Sequence, residues 1–500
     1  MSSDSTSHSF FGHPRGLATL FFTEMWERFS YYGMRALLLL FMVEEASKGG
    51  LGFDVREGSA IYGLYTMFVY LLALPGGWLA DKYFGLRNSI YYGGIIIAAG
   101  HFSMAVPTLE TFFFGLFLIV VGTGMLKPNV SSVVGGLYSK DEPARRDAGY
   151  SIYYMGINIG AFIAPLVTGW LGEGFSWHYG FGAAGIGMVI GVIQYKMTEK
   201  YLGDVGAAPE STGSEEADAK RKSTITKVLY VVGVLTAILL VLLFTGTIII
   251  DPVSFASYSS YIILGAVLIY FIYIFTGEKL DADERKKIGA IAVLFLFSAV
   301  FWSGFEQAGS SLNLFAYDYT DRMIGSWEMP ASWLQSVNPI FIILLSPVFG
   351  WLWVTLAKKQ LEPATPIKFS LGIILLGIGF GIMAIASEYV AQGDLVLPTW
   401  LIFTYFFHTA GELSFSPIGM SAVTKLAPKK LVGQMMGVWF MSIALGNLIA
   451  GLVAGEMGES EMSSNALPEL FWSITQFTIG VGIVMLIVSP LMRKLMGNVR

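Results

Sequence analysis

Seven ionisable side chains lie where hydrocarbon should be. Glu24, Glu27 and Arg28 fall inside the apolar stretch FFTEMWERFSYYG (21–33), with Arg35 close behind; Lys127 lies in GTGMLKPNVSS, Glu306 in FWSGFEQAGSSLN and Glu412 in FHTAGELSFSP. Each such charge costs roughly 2.5–3.5 kcal/mol at the centre of a spanning helix, so seven left unpaired would approach about 20 kcal/mol. Mutual pairing is therefore expected. Three cations can neutralise three of the four carboxylates, and the cheapest state keeps the fourth protonated. A carboxyl poised to gain or lose a proton inside a membrane is what proton coupling requires. At about 100° per residue, positions 24, 27, 28, 31 and 35 share one stripe of a helix. That stripe, with Tyr31 in it, must face a bundle interior or a water-filled cavity. The plainer reading is that the charges lock helices together, but buried pairs are poor stabilisers compared with apolar packing.

The elements that position these groups follow from composition. Of 500 residues, 54% are hydrophobic and 13% charged, about half the charged share of a soluble domain. Stretches long enough to cross a bilayer recur near 17–43, 58–80, 88–107, 111–137, 147–171 and 178–197, then 225–250 and 257–277, then 287–316, 332–357, 366–387, 398–426, 431–455 and 468–492. The expected fold is an all-α polytopic membrane protein of fourteen spans. It divides into an N-terminal tail 1–16, a six-helix bundle 17–197, a polar linker 198–224, two additional helices 225–277, a second six-helix bundle 278–492 and a tail 493–500. With the N-terminus cytoplasmic, Lys48, Arg56 and Arg322 lie on the opposite side and Arg28, Arg35 and Lys127 within the membrane. Every other one of the 31 Lys and Arg falls on the cytoplasmic side, as the positive-inside rule asks. The first 16 residues lack a signal-peptide pattern, so the first span is expected to act as the insertion signal. The absence of cysteine excludes disulfides, thiolate metal sites and cysteine nucleophiles.

The halves echo one another. GGWLADKYFGLR (76–87) and FGWLWVTLAKK (349–359) end corresponding spans, and NIGAFIAPLVTGWLGE (158–173) is matched by LGNLIAGLVAGEMGE (445–459). Duplicated halves are a hallmark of secondary transporters, with the site near mid-membrane between them. Arg35 and Lys127 belong to the first half, Glu306 and Glu412 to the second. A cavity between them has a cationic and an anionic wall, and the complementary ligand is a compact zwitterion held by charge-assisted hydrogen bonds. Asn158, Asn338, Tyr32, Tyr70, Trp302, Ser416 and Trp439 are candidate liners, although Trp and Tyr in spans serve more often as packing or interfacial anchors.

At these residues the sequence resembles the proton-dependent oligopeptide transporter family of the major facilitator superfamily. Glu24-x-x-Glu27-Arg28-Phe29 with Tyr31-Tyr32-Gly33 is similar to the family's first-helix motif, and GGWLADKYFG (76–85) to its signature after the second helix. YYMGINIGAFIAP (153–165) resembles the fifth-helix signature, with Tyr153 where Phe is commoner and Ala161 where Ser is usual. FWSGFEQAGSSL (301–312) and GELSFSPIG (411–419) resemble the seventh- and tenth-helix motifs. The resemblance implies alternating-access symport of di- and tripeptides with protons in a bacterial inner membrane, both termini being cytoplasmic. Arg35 and Lys127, with Arg28, would hold the peptide carboxylate; Glu412, Asn158 and Asn338 the amino group. Glu24, Glu27 and Arg28 would couple protonation to binding, and Glu306 would form a gating salt bridge with Arg35 or Lys127. The implied partners are peptides, protons and the lipid bilayer, with no nucleic acid, no cofactor beyond the coupling proton, and a monomeric functional unit.

Three other chemistries compete. Another anion or amino-acid derivative, such as nitrate, is the nearest within transport; the intact first-helix motif and bipolar cavity favour peptides. His408 and Glu412 at i, i+4 have a spacing usable for metal ligation, but no second His or Cys lies nearby in sequence, so His408 reads as a core histidine and no metal or catalytic residue is expected. A channel is disfavoured because charge pairs between the halves would block it.

Overall fold

A computed structural model describes residues 9–139, 141–458 and 466–497. Lys140 of the basic loop and the outer parts of the two expected tails lie outside the described residues. The described residues form fourteen long helices: α1 Gly16–Val43, α2 Val55–Phe84, α3 Leu86–Met104, α4 Leu109–Gly136, α5 Pro143–Gly174, α6 Trp177–Thr198, α7 Glu215–Phe244, α8 Pro252–Gly277, α9 Ala282–Asp318, α10 Ala331–Lys358, α11 Thr365–Ala391, α12 Thr399–Leu426, α13 Val432–Gly458 and α14 Leu467–Met496. Each span read from hydropathy coincides with one of these helices, its ends displaced by a few residues, except that α7 starts at Glu215, ten residues before the expected 225 and inside the expected linker, and ends at Phe244, short of 250. Ten are long and apolar enough to cross a membrane by length and composition. The other four are α1 and α12, which carry charges mid-helix, and α3 and α6, which are diluted by Gly, Tyr and His.

Local chemistry sets several helix starts. Asp281 Oδ1 accepts from the N–H groups of Asp283 (2.8 Å) and Glu284 (2.7 Å), and Glu284 accepts in return from the Asp281 N–H at 3.1 Å. This capping box satisfies donors that an α-helix leaves unpaired, and it starts α9 at Ala282, within the charged EKLDADERKK segment (278–287). Ser214 does the same for α7 through the Ala217 N–H. Between α9 and α10, Met323–Ile324 and Trp327–Glu328 pair as a short antiparallel hairpin turning at Gly325 (φ 67°).

Two helices are internally irregular. Residues Ala80–Phe84 of α2 form a π-turn that ends at Gly85, and α9 narrows to a 3₁₀ turn at Glu306–Gly309 before Ser311–Asp318 resumes the helix. Mid-helix departures of this kind mark functional positions more often than ordinary packing.

By contact density the chain forms two compact units. One takes in the chain up to Met34, Leu71–Ala164 and His178–Asp251; the other takes in Arg35–Tyr70, Pro165–Trp177 and everything from Pro252. In the first unit α3 and α4 approach through glycine. A Cβ at Gly93 would stand 2.8 Å from the Gly122 carbonyl oxygen, and one at Gly100 2.8 Å from that of Gly115, the small-residue contact by which membrane helices gain dispersion. Leu20, Ile97, Leu126, Val130 and Met188 form the adjoining apolar core. The second unit centres on aromatic rings, with Phe301 stacked on Phe415 at 4.2 Å and Phe369 against the same ring at 4.2 Å.

From Val228 onward helix α7 is apolar on every side, yet the most apolar window along it has no buried residue; Tyr230, Leu235 and Val241 are all exposed. An apolar helix left uncovered faces lipid. Gly93→Leu is accordingly expected to lower the apparent melting temperature in detergent, by an overpacking cost of about 1–3 kcal/mol. Gly233→Ala on α7, where a Cβ meets open space, should stay within about 0.5 kcal/mol of the parent.

Candidate functional site

The first unit gathers Glu24, Glu27, Arg28 and Lys127. On α1, Arg28 Nε lies 3.2 Å from Glu24 Oε1 and also binds Glu27 Oε2, so one guanidinium serves two carboxylates. All three side chains are at most 3% exposed. The stripe phase explains why: one turn of helix separates Glu24 from Arg28, and Glu27 is its neighbour. The arginine lies 5.2 Å from the ring centre of Tyr31 and 6.0 Å from that of Tyr32, within cation–π range. Lys127 on α4 is half-buried and within electrostatic reach of Glu24, and the Tyr153 hydroxyl on α5 is directed at the same carboxylate. Glu24 Oε2, Glu27 Oε1 and Arg28 Nη2 are buried without a hydrogen-bond partner among the described protein atoms. The cluster thus has polar capacity left over. Asn158 is nearly buried and spends its amide on the Tyr154 carbonyl, at 2.9 Å, one turn back on α5.

The second unit gathers Arg35, Glu306 and Glu412. Of the two partners open to Glu306 in the sequence, it takes Arg35: Nη2 of the guanidinium binds Glu306 Oε2, and Nε donates to the Tyr62 hydroxyl at 2.6 Å. The break in α9 makes this possible. A Cβ at Gly309 would strike the Tyr62 hydroxyl and stand 3.1 Å from Arg35 Nε, so glycine is needed where the helix narrows. Glu412 on α12 is half-buried. Among the described residues no Lys or Arg pairs with it; its contact is the Asn338 amide at 3.5 Å, which also donates to Thr409 Oγ1 at 2.9 Å. Glu306 is close enough to act on it electrostatically.

The remaining candidates divide. Tyr70 and Ser416 are half-buried. Trp302 and Trp439 are buried at 7% and 2% exposure, with indole N–H groups lacking a described partner; Trp439 lies within the Phe369 and Phe415 cluster. His408 is buried against Phe380, ring centres 4.8 Å apart. No group of three or more His, Asp or Glu among the described residues is arranged to hold a metal ion. Tyr62 was not legible as a partner of Arg35, because a tyrosine in a span is ordinarily packing. Tyr153 was visible only as a departure from a pattern, with nothing to say that its hydroxyl reaches Glu24.

Comparison with known proteins agrees with this arrangement of motifs. The profile of the POT family matches residues 87–472. The chain is 42% identical to the peptide transporter YePEPT of Yersinia enterocolitica, with 98% of this chain and 96% of that one covered. It is 38% identical to a di-/tripeptide transporter of Lactococcus lactis subsp. cremoris, with 99% of both covered. Its structure superposes on that of a peptide transporter POT in complex with sulfate, at a TM-score of 0.88 and 40% identity over 98% of this chain and 97% of that one.

The Arg35–Glu306 pair generates a stability prediction. Glu306→Ala strands a buried guanidinium and should cost about 3–5 kcal/mol, whereas Arg35→Leu combined with Glu306→Leu should recover most of it. Tyr62→Phe, which removes one hydrogen bond to the cation, should cost about 1.5–3 kcal/mol. Thermal unfolding in lipid nanodiscs ranks the three; equal loss in the single and double variants would refute the pairing.

Proposed function

Because the chain belongs to the POT family, we propose that it is a proton-coupled symporter importing di- and tripeptides by alternating access. The observation that carries this reading is Glu412, a membrane-embedded carboxylate with no cationic side chain paired to it among the described residues. An arriving peptide ammonium supplies that missing charge. Asn338, already bonded to Glu412, and Asn158 complete the amino-group contacts, while Arg35 and Lys127, with Arg28, take the peptide carboxylate. The names borne by the relatives, transporters of peptides and of di- and tripeptides, support the substrate class.

Coupling rests on α1. Two carboxylates share Arg28, so a proton on Glu24 or Glu27 lowers the hold on the guanidinium and frees it for the peptide carboxylate. The two titrate as a linked set rather than as separate residues. Glu306 then competes with the peptide for Arg35, and breaking that pair accompanies the change of access. The wall of Arg35 and Lys127 belongs to a first six-helix half (17–197) and that of Glu306 and Glu412 to a second (278–492), with 225–277 as two additional helices. The protein is multi-pass in a bacterial inner membrane with cytoplasmic termini, works as a monomer and uses no cofactor besides the proton.

In proteoliposomes a pH gradient alone should concentrate a dipeptide. Glu27→Gln should abolish that driven uptake while leaving peptide counterflow, since exchange needs no net proton movement. If Glu27→Gln concentrated peptide normally, the coupling role would be wrong. Competition by dipeptides, free amino acids and nitrate tests the substrate, and failure of dipeptides to compete would end the peptide reading.

A further inference from the structure

The last turn of α5 carries a carboxylate with no part in the roles above. The Glu173 side chain is 7% exposed and accepts three hydrogen bonds from the start of α10: the Ala331 N–H at 2.7 Å, the Ser332 N–H at 3.0 Å and the Ser332 hydroxyl. Those N–H groups are donors that a helix start leaves unpaired, and the helix field there also favours negative charge. Arg322 Nη1 stands 3.9 Å from Glu173 and donates to the Met329 carbonyl at 2.7 Å, while Nη2 of the same guanidinium pairs with Glu328 at 2.7 Å. The same two stretches meet twice more. Trp333 Nε1 donates to the Leu166 carbonyl at 3.0 Å, and Gly169 lacks the Cβ that would strike the Ser332 hydroxyl. On the adjoining side of the same turn of α5, a Cβ at Gly172 would stand 2.7 Å from Leu37 of α1.

We infer that Glu173 is a positioning residue for transport: it latches the end of α5 to the start of α10, and its release opens the protein at that face. The inference rests on the alternating-access reading above. Residues Pro165–Trp177 cluster with α9 and α10, whereas α5 up to Ala164 does not. The stretch is therefore held where these hydrogen bonds are. Each bond is polar and directional, so all three can be exchanged for water as the helix ends part. Apolar packing has no such substitute. A carboxylate suits the task because it is acceptor-only and all three facing groups are donors. Glutamine would turn an NH₂ toward a backbone N–H.

The chain has no cysteine, so a single introduced one reports opening. Ala36 is fully buried on α1 next to Leu37, and its carbonyl accepts from Asn313 at 2.9 Å; Ala36→Cys leaves that bond in place. With a membrane-impermeant maleimide applied from the face at which α5 ends, Glu173→Gln should raise labelling of Ala36→Cys about tenfold, the shift expected from losing one hydrogen bond to a charged group. Glu173→Asp should restore part of the protection. Ser332→Ala, which removes one of three donors and keeps the charge, should raise labelling less, and it decides the matter alone if Glu173→Gln does not accumulate. A cysteine in place of the buried Ala384 of α11 serves as the control and should stay unreactive. Unchanged labelling at position 36, or equal acceleration at both positions through general loosening, would overturn the latch. Because no substrate enters this measurement, it can fail or succeed independently of the peptide assignment.

Discussion

Hydrocarbon offers a charged side chain nothing to replace the water it has lost, and the pairing of Arg28 and Arg35 is the structural answer to that constraint. Arg28 finds both of its carboxylates on its own helix, at i−4 and i−1, so this cluster forms as soon as α1 forms and needs no tertiary partner. Arg35 has no acidic residue one turn away on α1. Its carboxylate comes from Glu306, far along the chain, and the fold must bring α9 to it. Two modes of neutralisation thus coexist on one helix. One is local and persists through any motion of α1 as a rigid element. The other exists only while α1 and α9 are in contact.

The irregular backbone of α9 lies at this contact. At the end of the narrowed turn a Cβ at position 309 would strike the Tyr62 hydroxyl and stand 3.1 Å from Arg35 Nε, and glycine leaves that space open. The narrowed turn releases backbone groups from their usual partners, which in a membrane must be satisfied again within the protein. Gln307 serves one α9 carbonyl and ties the turn to α13. Its amide donates to the carbonyls of Ser303 (3.2 Å) and Ala450 (3.3 Å), and its oxygen accepts from the hydroxyls of Ser310 and Ser311. A run of Gln, Gly and Ser inside a span, which hydropathy alone would count as weakness, is the set of residues a broken helix requires.

The sequence made the spans and the charged residues legible for the same reason. Apolar length and the cost of charge are properties of the chain that no tertiary contact can undo. Helical phase likewise put Glu24, Glu27, Arg28 and Tyr31 on one stripe. Partner choice was not legible, because it depends on which helix faces which: Glu306 had two cations open to it, and only packing selects Arg35. Tyr62 and Tyr153 were silent, since a tyrosine in a span is ordinarily packing and only coordinates reveal a hydroxyl aimed at an ion. Glu173 appeared merely as the end of a repeated segment. Its three donors are backbone and hydroxyl groups at the start of α10, and sequence carries no mark for a carboxylate that caps another helix. Trp302 and Trp439 show the reverse case, residues conspicuous by type that turn out to be buried among aromatic rings.

Three membrane-embedded cations face four carboxylates, and sequence alone does not say which carboxylate is in surplus. The geometry narrows the choice by treating each cluster separately. Glu24 and Glu27 have Arg28 between them and Lys127 within electrostatic reach, so that set balances. Arg35 is committed to Glu306. The surplus therefore falls on Glu412, whose neighbours are a shared amide and a second carboxylate. A buried anion in that setting is relieved either by a proton or by a cationic ligand group, and either one makes the other unnecessary. Under the proposed symport, proton and peptide ammonium compete for this one carboxylate, while the Glu24, Glu27 and Arg28 cluster on α1 is a chemically different place for a proton to act. In the proposed symport Arg35 is the residue suited to link them, since it lies on α1 with the first and is bonded to Glu306, the carboxylate that acts on the second.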